Sequence, residues 1–260
     1  MEMHPQKSFS SVRVQQPSFD TSWEDLTAIG LLNLSPDVVT ERELRRMVPD
    51  SDVHFVSTRM KHHSPTTIEN LHAHVHEIAK AGELFDSNTK VNVFIYSCTS
   101  GSAVISHERL ENELRQTAPG ASLTTPMTGA LRAFGELGVK NVAMVSPYHD
   151  DVGEIMVSCL GKSGVSVCSS SSFYFDMDYD VNSVSPQCLF EAACSTDRID
   201  ADAVFIPCTS FRTSSIIDRL EAQLGKPVVT AHQAMLWDAL RLARYQKPIS
   251  GYGKLLAATR

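Results

Sequence analysis

The chain has 260 residues, 42% of them hydrophobic and 20% charged, with a formal net charge of −7; that length makes one large domain or two small ones. The acidic balance argues against a nucleic-acid partner, which needs a basic face, and no run approaches the roughly 20 apolar residues that cross a bilayer. Six cysteines without a CxxC pair argue against structural zinc, and with no apolar leader in Met1 to Trp23 the expected setting is cytoplasmic and reducing, with free thiols.

Residues 1–24, rich in Ser, Gln and Pro, read as a flexible tail. Thr27 to Leu32 reads as a first buried strand, Thr40 to Met47 as a helix and Val53 to Ser57 as a second strand. His62 and His63, after Arg59-Met60-Lys61, lie at the carboxyl edge of the sheet; an ordinary basic loop is preferred to the alternative in which Arg59 or one of these histidines touches an anionic ligand. Pro65 to Leu84 reads as one long amphipathic helix with Ile68, Leu71, Val75 and Ile78 on its apolar side. His72, His74 and His76 fall inside it and read as a solvated face, since a metal site needs further ligands. Val91 to Ser97 is expected to be a strand, Ser102 to Leu114 a helix and Leu123 to Thr125 a short strand.

The second half repeats the plan. Met127 to Leu137 reads as a helix ended by Gly138, Asn141 to Ser146 as a strand, Asp150 to Leu160 as a helix and Val165 to Val167 as a strand. The serine run Ser169 to Ser172 and the aromatic-acidic stretch Phe173 to Asp180 read as a loop, a plain surface loop in preference to a lid. Then come a helix over Pro186 to Cys194, a strand over Ala203 to Pro207, a helix over Ser214 to Leu224, a strand over Pro227 to Thr230 and a helix over Gln233 to Ala243. Apolar strands alternating with helices predict parallel sheets in α/β units.

One stretch occurs twice. Cys98-Thr99-Ser100 is followed by Arg109-Leu110-Glu111, and Cys208-Thr209-Ser210 by Arg219-Leu220-Glu221, at a constant offset of 110 residues. Each copy follows an apolar run, so each thiol is expected where a buried strand gives way to a helix, the strand end at which α/β proteins bind ligands. There the helix dipole and free N–H groups favour a thiolate, and the Thr and Ser hydroxyls suit a carboxylate. For one thiol to be a base near neutrality, its pKa must fall below the ordinary value of about 8.5.

Together with Pro147-Tyr148-His149-Asp150-Asp151-Val152, Leu236 to Arg241 and Gly251 to Leu256, these motifs resemble the aspartate/glutamate racemase superfamily. Within it the likeness is to the branch of maleate cis-trans isomerase, arylmalonate decarboxylase and the ectoine-utilisation proteins, over Ala28 to Leu256. The resemblance implies an α/β fold of two pseudo-symmetric Rossmann-like lobes, each a four-stranded parallel sheet flanked by helices, with the active site between them. Residues 25–126 plus 233–260 form the first lobe and 127–232 the second. It implies no metal, nucleotide or pyridoxal cofactor, a small carboxylate substrate and a homo-oligomer.

By the same resemblance Cys98 and Cys208 are the catalytic pair, and Thr99, Ser100, Thr209, Ser210 and Tyr148 hold the substrate. Two cysteines favour isomerase or racemase chemistry. The alternatives are a decarboxylase using Cys208 alone and, from another class, a non-catalytic binding protein for an anionic solute. Asp37 stands where the isomerases carry the asparagine of a Pro-Ser-Ser-Asn-Thr-Thr stretch. As a substrate-binding group its carboxylate would repel a dicarboxylate unless protonated or paired with a cationic substrate group; as a helix cap it has a structural role.

Overall fold

The computed structural model describes residues 17–86 and 89–258; most of the tail expected over 1–24 lies outside them. Two four-stranded sheets form the centre. The first holds β1 (Thr27–Leu34), β2 (Val53–Met60), β3 (Val93–Tyr96) and β4 (Ser122–Thr124), in the order β2-β1-β3-β4. The second holds β5 (Asn141–Ser146), β6 (Ser166–Ser172), β7 (Ala203–Ile206) and β8 (Val228–Thr230), in the matching order β6-β5-β7-β8. All pairings are parallel. The inner strands β1, β3, β5 and β7 are buried almost throughout, as expected when helices cover both faces of a parallel sheet.

Around the first sheet lie α1 (Thr40–Met47), α2 (Ile68–His72), α3 (Val75–Gly82), α4 (Thr99–Val104) and α5 (His107–Arg115). Around the second lie α6 (Pro126–Leu137), α7 (Asp150–Lys162), α8 (Asp178–Ser183), α9 (Pro186–Thr196) and α10 (Ile217–Leu224), followed by α11 (Ala231–Leu242) and α12 (Gly253–Ala257). Among the described residues no helix is long and apolar enough to cross a membrane.

Three sequence expectations are corrected. The long helix over Pro65 to Leu84 is two helices, because the chain tightens to i→i+3 hydrogen bonds at Ala73 and His74. That turn brings His74 inward to 1% exposure, while His72 and His76 stay exposed. The helix expected over Ser102 to Leu114 begins at Thr99 and breaks at Ile105, whose backbone is extended; Ser106 then caps α5 by accepting the Arg109 N–H at 3.3 Å. The serine run is part of β6: Ser169 to Ser172 pair with Ala143 to Ser146, after a bulge that leaves Cys168 out of register. Serine composition suggests a loop, but an edge strand with a wet face accepts serine, since the backbone makes the ladder.

Helices α6 and α11 touch backbone to backbone. A Cβ on Gly129 would lie 2.4 Å from the Ala234 carbonyl oxygen. Beside this contact the fully buried Asp238 of α11 accepts from Thr124 Oγ1 at 2.6 Å, Arg132 at 2.6 Å and Arg241 at 3.0 Å. The carboxylate thus ties α11 to β4 and α6, and each of its donors is charge-assisted. Gly129→Ala is expected to destabilise by about 3 kcal/mol through overpacking, a fall of roughly 10 °C in Tm. Gly135→Ala, on the same helix with no atom within 4 Å of its Cβ, is expected to be neutral or stabilising. Thermal melts of both variants check this.

Candidate active site

Both thiols sit at carboxyl ends of inner strands, yet their turns differ. Cys98 is the N-cap of α4, with φ −144° and ψ 115°; its Sγ accepts the Gly101 N–H at 3.3 Å and lies 3.6 Å from Ser100 Oγ. The Tyr96 hydroxyl stands beside this thiol. Gly101 permits that packing, because a Cβ there would stand 2.0 Å from Tyr96 Oη and 3.1 Å from Cys98 Sγ.

Cys208 has φ +115°, a left-handed backbone rare for a residue with a side chain. Its Sγ accepts the Ser210 N–H at 3.4 Å, and turns, not a helix, follow until α10 opens at Ile217. The expectation of a thiol at a helix start holds for Cys98 and fails for Cys208. The reason is a one-residue difference: Val93-Phe94-Ile95 is followed by Tyr96-Ser97 before its cysteine, whereas Val204-Phe205-Ile206 is followed by Pro207 alone. The second turn reaches its thiol one residue sooner, with that thiol's backbone left-handed.

The two turns bond each other. The Cys208 N–H donates to Thr99 Oγ1 at 3.2 Å, and Thr209 Oγ1 donates to the Ser97 carbonyl at 3.2 Å. Cys98, Thr99, Ser100, Tyr148, Cys208, Thr209 and Ser210 therefore line one cavity, with about 530 Å³ of unfilled space, its mouth included. Leu34, His62, Thr66, Pro147 and His149 complete its walls, and Phe175, Asp176, Met177, Asp178 and Val181 form a roof. The segment read as a plain surface loop is thus a cover, fastened where Asp178 Oδ2 meets Ser64 Oγ at 3.2 Å and His62 Nε2 at 3.2 Å. Asp37 is absent from the walls. It is buried and accepts the Val39 and Thr40 N–H groups at 2.8 and 2.9 Å, the helix-capping alternative. Among the described residues no cluster of three or more His, Cys, Asp or Glu is placed to hold a metal.

Burial decides the electrostatics. It pushes the Cys98 thiol up, against the opposing donors Ser100, Gly101 and Tyr96, and it pushes Cys208 up to about 12, against the Ser210 N–H and the Tyr148 hydroxyl. The expectation of a lowered thiol fails in this roofed cavity, because losing water outweighs a few hydrogen bonds. Burial likewise holds Tyr96 and Tyr148 protonated, well above the usual tyrosine range. Among the described residues the cavity lining holds no Lys or Arg, so an anion here meets hydroxyls, N–H groups and the imidazoles of His62 and His149, with the carboxylates of Asp176 and Asp178 in the roof.

Sequence reasoning missed Tyr96, His74 and Asp178, and read His62 as loop. Tyr96 stands behind Cys98 at the end of β3, and His74 bonds its hydroxyl at 2.6 Å. The alternation of His72, His74 and His76 held the signal only if the helix was known to tighten there. Burial, aided by the neighbouring His62, lowers His74 to about 4 from 6.5. The folded state thus resists the proton that the unfolded chain accepts below pH 6.5, so stability is full above that value and is lost as pH falls toward about 4. Tm against pH should show this decline, and His74→Gln should flatten it.

Two parallel sheets meeting at paired strand-end cysteines define a cysteine-dependent α/β enzyme. The arylmalonate decarboxylase family profile matches residues 68–256, and the chain belongs to that family. It is similar to a maleate isomerase of Nocardia farcinica, 28% identical over 88% of this chain and 94% of the relative, and to the arylmalonate decarboxylase of Bordetella bronchiseptica, 29% identical over 72% and 77%. In structure it matches a maleate isomerase of Pseudomonas putida S16, with TM-score 0.82, 23% identity and coverage of 90% and 99%. It also matches a mutant Nocardia farcinica maleate cis-trans isomerase with a covalently bound succinylcysteine intermediate, with TM-score 0.82, 23% identity and coverage of 89% and 98%.

Proposed function

We propose that this chain is a cis-trans isomerase of a small unsaturated carboxylate, with Cys98 as nucleophile and Cys208 as proton donor and acceptor on the opposite face. The observation that carries this is the convergence of both thiols on one roofed cavity walled by Thr99, Ser100, Tyr148, Thr209 and Ser210. The Cys98 thiolate forms a C–S bond to one alkene carbon. The π pair moves to the neighbouring carbon and spreads into its carboxylate, leaving a single bond that rotates. The pair then returns, the C–S bond breaks and the thiolate leaves. Hydroxyl and N–H donors from the two turns stabilise charge as it develops on the carboxylate.

The thiols differ in a way that suits these roles. Cys208, held protonated up to about 12, is the acid: it protonates the carbanion to a saturated thioether and takes the proton back. Cys98 has more donors facing it and is the better thiolate. Environments that push two titratable groups apart assign acid and base. The succinylcysteine named for the Nocardia farcinica neighbour is a saturated thioether of this kind, and so supports the reading. A cytoplasmic setting suits both thiols, which must stay reduced to act.

Proton NMR in deuterated water, with maleate, related unsaturated acids and aryl-substituted malonates, tests this. The expected result is cis-to-trans conversion without carbon dioxide release. Cys98→Ala should abolish it, and Cys208→Ser should slow it about 10²- to 10⁴-fold. Carbon dioxide release that survives Cys98→Ala and disappears with Cys208→Ala would replace isomerisation by decarboxylation. Because burial raises the Cys98 thiol, it is protonated at neutrality, so kcat/KM should climb with pH past the ordinary thiol value of about 8.5. A pH–rate profile reads this.

A further inference from the structure

Behind Cys98 runs a line of buried groups that the mechanism above does not use. Tyr96 Oη faces the thiol beside Gly101, where a Cβ would stand 2.0 Å from Tyr96 Oη and 3.1 Å from Cys98 Sγ, and it lies 2.6 Å from His74 Nδ1. His74 Nε2 lies 2.8 Å from His62 Nδ1, and His62 Nε2 lies 3.2 Å from Asp178 Oδ2. Tyr96 is fully buried, His74 is 1% exposed and the His62 side chain is 1% exposed. The members come from β3, the α2–α3 junction, the loop after β2 and the roof helix α8.

We propose that Asp178, His62, His74 and Tyr96 form a proton relay that ionises Cys98, and that the relay is complete only while α8 is docked over the cavity. The inference rests on Cys98 being the nucleophile. The four groups act through Cys98 as positioning residues.

One arrangement of protons satisfies the two hydrogen bonds at His74 and sets His62 Nε2 against the Asp178 carboxylate. Asp178 is an acceptor, so neutral His62 carries its proton on Nε2 and accepts at Nδ1. His74 then donates from Nε2 and accepts at Nδ1, Tyr96 donates to His74, and the Tyr96 oxygen is left to accept the Cys98 S–H. From there the sulfur proton moves to Tyr96, the Tyr96 proton to His74 Nδ1, and the His74 Nε2 proton to His62 Nδ1. The products are a Cys98 thiolate, neutral Tyr96, neutral His74 and a His62 imidazolium against the Asp178 carboxylate. No proton is gained or lost, and the three links from Cys98 to His62 reverse while His62 Nε2 keeps its proton, so that the Tyr96 hydroxyl now donates to the sulfur. His74, kept uncharged by burial, passes the proton on instead of storing it. Asp178 is suited to the far end: burial raises its carboxyl, but His62 and Ser64 more than offset this and hold it below the usual range.

The other titratable groups facing this line are Glu77 and His63 at His74, and Tyr148 and Cys208 around the cavity. The direct field of Asp178 opposes ionisation of both thiols. A purely local field therefore makes Asp178→Asn quicken both sulfurs, whereas the relay makes it slow Cys98 alone.

Peptide-resolved iodoacetamide labelling of the full chain, across pH, decides between them. The reading is the ratio of the Cys98 rate to the Cys208 rate, which cancels any change in access to the shared cavity. In both Asp178→Asn and Tyr96→Phe, the latter changing no charge, the ratio at neutral pH should fall on the order of tenfold, with the Cys98 midpoint moved up by about one unit. Thermal melts verify that both variants are folded. A ratio that is unchanged or raised in either variant overturns the relay. The test needs no substrate: if Cys98 responds as expected but no carboxylate is isomerised, the relay stands and the assigned activity falls.

Discussion

The site depends on two hydrogen bonds that cross between the sheets. Thr99 gives its hydroxyl oxygen to the Cys208 amide, and Thr209 gives its hydroxyl proton to the Ser97 carbonyl. Each turn thus satisfies a backbone group of the other that has no partner in its own strand. An orphaned buried amide or carbonyl costs about 1–3 kcal/mol, so neither turn is satisfied without its counterpart. Once the turns are locked in this way, both sulfurs open onto the same space. The threonines of the repeated motif are therefore structural clasps as well as cavity walls.

The frame is close to symmetric and the site is not. Strand order repeats and every pairing is parallel, but one turn caps a helix while the other bends through a left-handed residue. The two sulfurs consequently meet different donors, the Gly101 N–H and Ser100 hydroxyl at Cys98 and the Ser210 N–H at Cys208. A reaction that needs one group to give up a proton and another to keep it is served by this inequality. Around both, the exclusion of water outweighs the hydrogen bonds, so the resting thiols are protonated and the turns alone do not ionise them.

Much of the frame was legible from the chain. Buried apolar runs marked β1, β3, β5 and β7, Gly138 marked the end of α6, and the repeated Cys-Thr-Ser placed both thiols at strand ends. What failed was local. A helix pattern continues through Ala73 and His74 even though the backbone tightens there, because periodicity records which side is apolar and not how the turn is wound. Ser169 to Ser172 looked like loop because composition says nothing of ladder bonding at an edge. Asp178 looked like loop charge because its partners, Ser64 and His62, lie more than a hundred residues away. The expected thiol acidity failed for a related reason: dehydration depends on everything that closes over the site, and no single segment encodes it.

The fastened roof has a further consequence for the life of the enzyme in an oxidising insult. Peroxides and disulfides attack thiolates, not thiols. Cys98 and Cys208 are shielded and protonated at rest, whereas Cys188 on α9 lies in solvent and meets an oxidant first. If the sulfur is ionised only under a docked α8, its reactive form exists only in company with what is already enclosed. The cover therefore confers chemical selectivity: it decides which electrophile the sulfur ever encounters.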